Sequence, residues 1–274
     1  MNWRAIRAIM GKDLRVVMQS KAVALPLLIV PLIVVVLMPG ATSLLQFSAA
    51  AGLGEADVGP MKDLLEQMPL ALQEQLAAYN GLQAAIVFIS TYLFAPLFLI
   101  LPLMVSSVIA ADSFAGEKER KTLEALLYTP TSDRELLIAK LLAAWMPAVA
   151  IALLSFGVYA LLINLLSWPV MGRIFFPNTM WVVLVLWVAP ATAAMGLGAT
   201  VLVSGRVSTF QEAYQLGGFV VVPIVALMLS QVTGLLFLSV GLVIGLGLVF
   251  WCVALLLIWL GSRALRRDVL ATRL

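Results

Sequence analysis

From Ala213 to Ser262 the chain runs fifty residues without a charged side chain. As one helix that run would be roughly 75 Å long, far beyond the ~30 Å hydrocarbon core of a bilayer. It therefore reads as a hairpin of two membrane-spanning helices, turning around Ser230-Gln231-Val232-Thr233-Gly234. Two more uncharged runs, Gln75 to Ala111 and Leu141 to Gly172, each exceed the roughly 20 residues needed to cross a bilayer. The whole chain is 63% hydrophobic and 11% charged, with a mean hydropathy of +1.07. A soluble domain does not tolerate that balance, whereas a polytopic membrane protein requires it.

Six spans follow, and the fold class is all-α. They lie over Ala22–Met38, within Leu82–Ala110, over Leu136–Leu166 and Met180–Val203, and as the two arms of the hairpin. Prolines interrupt several of them and are tolerated in membrane helices. Gly196 and Gly198 in the fourth span mark a place for close helix approach, and Gly241, Gly245 and Gly247 make a small-residue surface on the last. The alternative for these last three is ordinary glycine use. Ala49-Ala50-Ala51 resembles a signal-peptide cleavage site, but the long basic leader argues for a retained span.

Charge sets the orientation. With both ends inside, the inner segments carry 15 of the 17 lysines and arginines, and only Lys62 and Arg173 fall outside. The positive-inside rule favours this arrangement over its inverse. Residues 2–20 form an amphipathic helix, with Trp3, Ile6, Ile9, Met10, Leu14 and Val17 on one side and Arg4, Lys12, Arg15 and Gln19 on the other. Such a helix suits the interface of an anionic inner leaflet; a plain basic anchor flank is the alternative. The expected domains are an elbow helix over 1–21 and one six-helix transmembrane unit over 22–274. The outer loop 39–80 holds five acids, and an apolar stripe from Met61 to Leu76 interrupted by Pro69. It is either a kinked helix on the outer leaflet or a spacer.

Asp112 to Lys140 is a polar island between two spans, DSFAGEKERKTLEALLYTPTSDRELLIAK. Leu123, Leu126 and Leu127 repeat at helical spacing amid charges of both signs. Thr129-Pro130 ends that helix, since the residue before a proline avoids the α region. Ser132 with Glu135 then forms a capping box that starts the next helix, which runs into the membrane. The reading is a short amphipathic cytoplasmic helix in the loop 112–135, rigidly joined to a span. A helix that only rests on lipid headgroups is the alternative.

Several functions are disfavoured. There is no histidine, hence no imidazole catalysis and no His-ligated metal. The single cysteine, Cys252, permits no disulfide framework. No ionisable residue sits in the middle of a proposed span, where ion-coupled carriers usually place relays. No GxxxxGK[ST] phosphate loop is present, so P-loop ATP hydrolysis does not occur on this chain. A transporter lacking both drives is driven by a partner.

The run Gly116 to Lys140 resembles the cytoplasmic loop of permease subunits of type-2 ABC exporters, a family that includes sodium-extrusion, drug-export, gliding-motility and nitrous-oxide-maturation permeases. The matching positions are Gly116, Glu117, Glu119, Thr122, Leu123, Glu124, Leu126, Leu127, Thr129, Pro130 and Lys140. The resemblance implies an ATPase-coupling interface at Gly116, Glu117, Glu119, Arg120, Thr122, Leu123, Glu124, Leu126, Leu127, Thr129 and Pro130, with Ser132 and Glu135 as helix cap. It implies a bacterial inner-membrane protein with cytoplasmic termini, paired with a second permease copy, identical or not. Two cytosolic ABC ATPase subunits would carry ATP and Mg; this chain itself would hold no cofactor, no metal and no nucleic acid, contact membrane lipid and catalyse nothing. A non-transporting scaffold or sensor subunit is the alternative.

Overall fold

The computed structural model describes residues 3–50, 70–122, 132–233 and 235–264. The chain forms α1 (Trp3–Gln19), α2 (Lys21–Ala50), α3 (Leu70–Leu76), α4 (Gly81–Glu119), α5 (Asp133–Met171), α6 (Thr179–Ser204), α7 (Phe210–Val232) and α8 (Val240–Ala264). No strand occurs among the described residues. Six of these helices, α2 and α4 to α8, are long and apolar enough to cross a membrane. The chain is an all-α, multi-pass membrane protein.

Three boundaries differ from the sequence reading, one of them the end of the third span, where α5 runs past Leu166 to Met171. The first span does not stop at Met38: α2 passes Pro39 and continues to Ala50. A proline removes one helical hydrogen bond, but in hydrocarbon no water competes for the remaining groups, so the helix persists. The hydroxyls of Thr42 and Ser43 both donate to the Pro39 carbonyl, at 2.7 and 3.0 Å. Likewise α4 does not end at the first charge. It runs through Asp112 to Glu119, so the polar island begins as the last turns of a span. The stripe from Met61 to Met68 lies outside the described residues, as do Leu123 to Thr131.

α4 and α6 are the most enclosed spans. Their contact is close because α6 is built of Ala, Gly and Thr there. A Cβ on Gly196 would stand 2.7 Å from the Leu103 carbonyl oxygen of α4, and one on Gly198 would meet Leu257 and Ile258 of α8 at 3.0–3.1 Å. Without side chains at these two positions, three backbones approach one another. The expected small-residue surface on α8 divides: Gly247 packs under the Trp187 ring, whereas Gly241 and Gly245 face open space.

Three π-helical turns interrupt the spans, at Phe88–Leu93 and Asp112–Gly116 in α4 and at Leu184–Val188 in α6. Each inserts an extra residue and turns backbone groups off the helical ladder. In the first, the Ser90 carbonyl accepts from Tyr159 Oη and the Thr91 carbonyl from Trp181 Nε1, both at 2.7 Å. Tyr159 and Trp181 are fully buried and pack with Phe98, Phe156 and Phe176. This aromatic block ties α4, α5 and α6 together in the half of the bundle away from α1.

Candidate functional site

At the other end of the bundle, the second π-turn of α4 sets the site. Asp112–Gly116 carries the backbone into its last turn, where Asp112, Ser113 and Glu117 are all buried. Buried charge in an apolar protein is costly unless paired and hydrogen-bonded. Here each charge has partners on another turn or another helix.

Lys140, in the second turn of α5, is 1% exposed. Its Nζ donates to Glu117 Oε2 at 2.7 Å, to the Ser113 carbonyl at 2.7 Å and to Ser113 Oγ at 3.2 Å. It also lies 5.4 Å from the centre of the Phe114 ring. From α1, Asp13 enters the same pocket, 3% exposed. Its Oδ2 accepts from Ser113 Oγ at 2.8 Å and stands 3.6 Å from Lys140 Nζ; its Oδ1 is 3.2 Å from Lys12 Nζ. Lys12 also donates to Glu117 Oε1. Two lysines and two carboxylates thus form a neutral quartet joining α1, α4 and α5. Burial pulls the Lys12 ammonium down, but its hydrogen bond to Glu117 and the charges of Glu117 and Asp13 outweigh this and hold it above the ordinary lysine range.

The remaining charges of Gly-Glu-Lys-Glu-Arg are also engaged. Arg120 donates to Asp112 Oδ1 at 3.0 Å, and that bond holds its guanidinium above the ordinary range. Gly116 leaves room for the pair, since a Cβ there would stand 3.0 Å from Asp112 Oδ1. Lys118 Nζ donates to the Val207 carbonyl at 3.1 Å, and Glu119 Oε2 accepts from the Phe210 amide at 2.9 Å. The tail of α4 therefore also holds the connection that opens α7.

Its exit is fixed by a Schellman closure. The Thr122 amide donates to the Glu117 carbonyl and the Lys121 amide to the Lys118 carbonyl, at 2.9 and 3.1 Å. Lys121 takes the left-handed conformation, φ +57°, usually given to glycine. Ten residues later Ser132 restarts the helix: its Oγ accepts from the Glu135 amide at 3.3 Å and Glu135 Oε2 accepts from the Ser132 amide at 3.2 Å. The segment between, holding Leu123, Glu124, Leu126, Leu127, Thr129 and Pro130, lies outside the described residues.

Of the sequence-predicted site, then, Glu117 is buried in the quartet, Glu119 and Arg120 are tied within the chain, Thr122 is exposed at the exit, and Ser132 and Glu135 cap α5. Sequence reasoning missed Asp13, Lys12 and Ser113, and carried Lys140 only as the end of a motif. One signal was available. Asp13 is the only acid in the first 54 residues, set in a basic amphipathic helix.

At the opposite end, Gln75, Tyr92, Asn178 and Ser239 line an open cleft of about 240 Å³, with Tyr92 Oη donating to Gln75 Oε1 at 3.0 Å. Among the described residues no group of acids and cysteine is placed to hold a metal ion.

A family model described as ABC-2 family transporter protein matches residues 7–262. Neither the curated proteins nor the solved structures give a match.

Proposed function

The chain belongs to the ABC-2 transporter family, and from that premise we propose that it is the permease subunit of an ATP-driven exporter. Two permease copies form the path, and each receives work from a cytosolic ATPase at the segment 123–130. The protein sits in a bacterial inner membrane with both termini in the cytoplasm, where the concentration of Lys and Arg at the α1 end would put them.

One observation carries this reading. α4 ends at Lys121–Thr122 in a fixed cap and α5 begins at Ser132 in another, and the 2.7 Å Lys140–Glu117 bond clamps the two helices beside those caps, so a push delivered between them has two anchored ends. It reaches two membrane-spanning helices together, the requirement for rocking a permease between inward and outward openings. The site residues then divide by task. Leu123, Leu126 and Leu127, with Glu124, Thr129 and Pro130, make the docking surface; Gly116, Glu117, Glu119 and Arg120 transmit the load, with Thr122 at the boundary. ATP and Mg belong to the partner.

The test is co-purification from the native host in mild detergent. The parent chain brings down a stoichiometric P-loop ATPase, and Leu126→Asp with Leu127→Asp inserts normally but loses it. A full complement of ATPase on the double variant refutes the docking surface. A clean preparation with no ATPase moves the protein to the scaffold reading.

A further inference from the structure

Besides its neighbour Lys12, Asp13 meets two groups from outside α1, and they belong to different helices. Ser113 is on α4 and Lys140 on α5, the two helices that flank the coupling segment. We infer that Asp13 is a positioning residue that latches α1 to this joint, so that α1 stays docked only while the ends of α4 and α5 keep their resting spacing. The inference rests on the coupling role proposed for the joint.

The geometry gives the latch a narrow tolerance. Ser113 Oγ to Asp13 Oδ2 is 2.8 Å, and Lys140 Nζ to the same oxygen is already 3.6 Å. A shift of about 1 Å between α4 and α5 takes one of these contacts out of range. If the Ser113 contact goes, the buried carboxylate loses the one hydrogen bond to Oδ2; if Lys140 goes, it has only Lys12 to balance it, and Lys12 also serves Glu117. Leaving the pocket for water then becomes the cheaper outcome for Asp13. Of the 17 residues of α1 only Ile6, Asp13 and Val17 are fully buried; Ile9, Met10 and Leu14 of its apolar side are half-buried, so Asp13 is the one charged group that fixes α1 in the joint from within the protein. The second π-turn is part of the device. Its extra residue alters the angle at which Ser113 and Glu117 stand, and the two together meet Asp13, Lys12 and Lys140.

Thiol protection at Val17 reads the latch. Val17 is 2% exposed and packs in the cluster that contains Val23, Leu27 and Phe114. A Val17→Cys chain in a Cys252→Ser background, in nanodiscs with its co-purified ATPase, is exposed to a charged maleimide. The parent labels slowly. Asp13→Asn labels on the order of tenfold to a hundredfold faster, as loss of a charge-assisted buried hydrogen bond predicts. Ser113→Ala, which removes a hydroxyl and no charge, labels at an intermediate rate and stands in if Asp13→Asn does not fold. A non-hydrolysable ATP analogue with Mg speeds labelling of the parent but not of Asp13→Asn, which is already undocked. This last readout would not move if Asp13 were only structural.

Equal labelling of parent, Asp13→Asn and Ser113→Ala overturns the latch. A parent with bound ATPase whose labelling ignores the nucleotide overturns the link between α1 and the joint. A preparation without ATPase overturns the permease reading instead, while the two substitutions still judge the latch.

Discussion

Lys140 is the residue on which the joint of α1, α4 and α5 depends most. It is 1% exposed, and it faces Glu117, Asp13 and Ser113 at once. Removing one partner of a buried ionic group costs more than the group contributes, because the others are left uncompensated. Lys140→Met is therefore expected to destabilise the chain by about 3–5 kcal/mol, read as a lowered Tm in detergent. Adding Glu117→Gln recovers part of the loss, since Lys12 then faces one buried carboxylate, Asp13, instead of two. If the single and double variants melt alike, the pair is not coupled. At this scale the sequence was half legible. The motif drew attention to Glu117, but a motif does not say which way a side chain points. That depends on a one-residue π-turn upstream, which no local pattern announces.

Among elements, α6 illustrates how small residues decide packing. Gly196 lies against a carbonyl oxygen of α4, and that oxygen cannot move without moving the helix. Gly196→Val is expected to cost about 1–3 kcal/mol, the usual range for overpacking, or more because backbone rather than side chain is in the way. Gly241→Ala, with nothing within 4 Å, is expected to be neutral or slightly stabilising. Comparing the two by thermal unfolding tests the assignment: equal losses would mean that α6 does not pack as described. Both glycine clusters were visible in the sequence as small-residue surfaces. Composition alone could not rank them, because a glycine facing a neighbour and one facing lipid obey the same local rule. Helix ends show the converse. The Ser132–Glu135 cap was legible from four residues, since a cap is closed by its own turn. The length of α2 was not, because Pro39 reads as a stop by the rule for helices in water.

For the whole molecule, charge predicts a topology that labelling can check. In a Cys252→Ser background, Thr233→Cys at the α7 end is expected to react with an impermeant maleimide added outside intact cells. Ser208→Cys, in the connection held by Lys118, should react only after the membrane is opened. The reverse result would invert the protein and move the joint to the wrong face for an ATPase. What the sequence alone determined was the number of spans, their order, the polar segment between the second and third, and the family. The spans, their order and the polar segment follow from hydration, a property each stretch carries by itself whatever it packs against, while the family rests on the match over residues 7–262. What only the tertiary structure decided was who meets whom in the joint. Asp13, Ser113, Glu117 and Lys140 are separated by up to 127 positions and brought together by three helices. A buried charge is neutralised by the nearest opposite charge in space, and nothing in the local sequence encodes that distance.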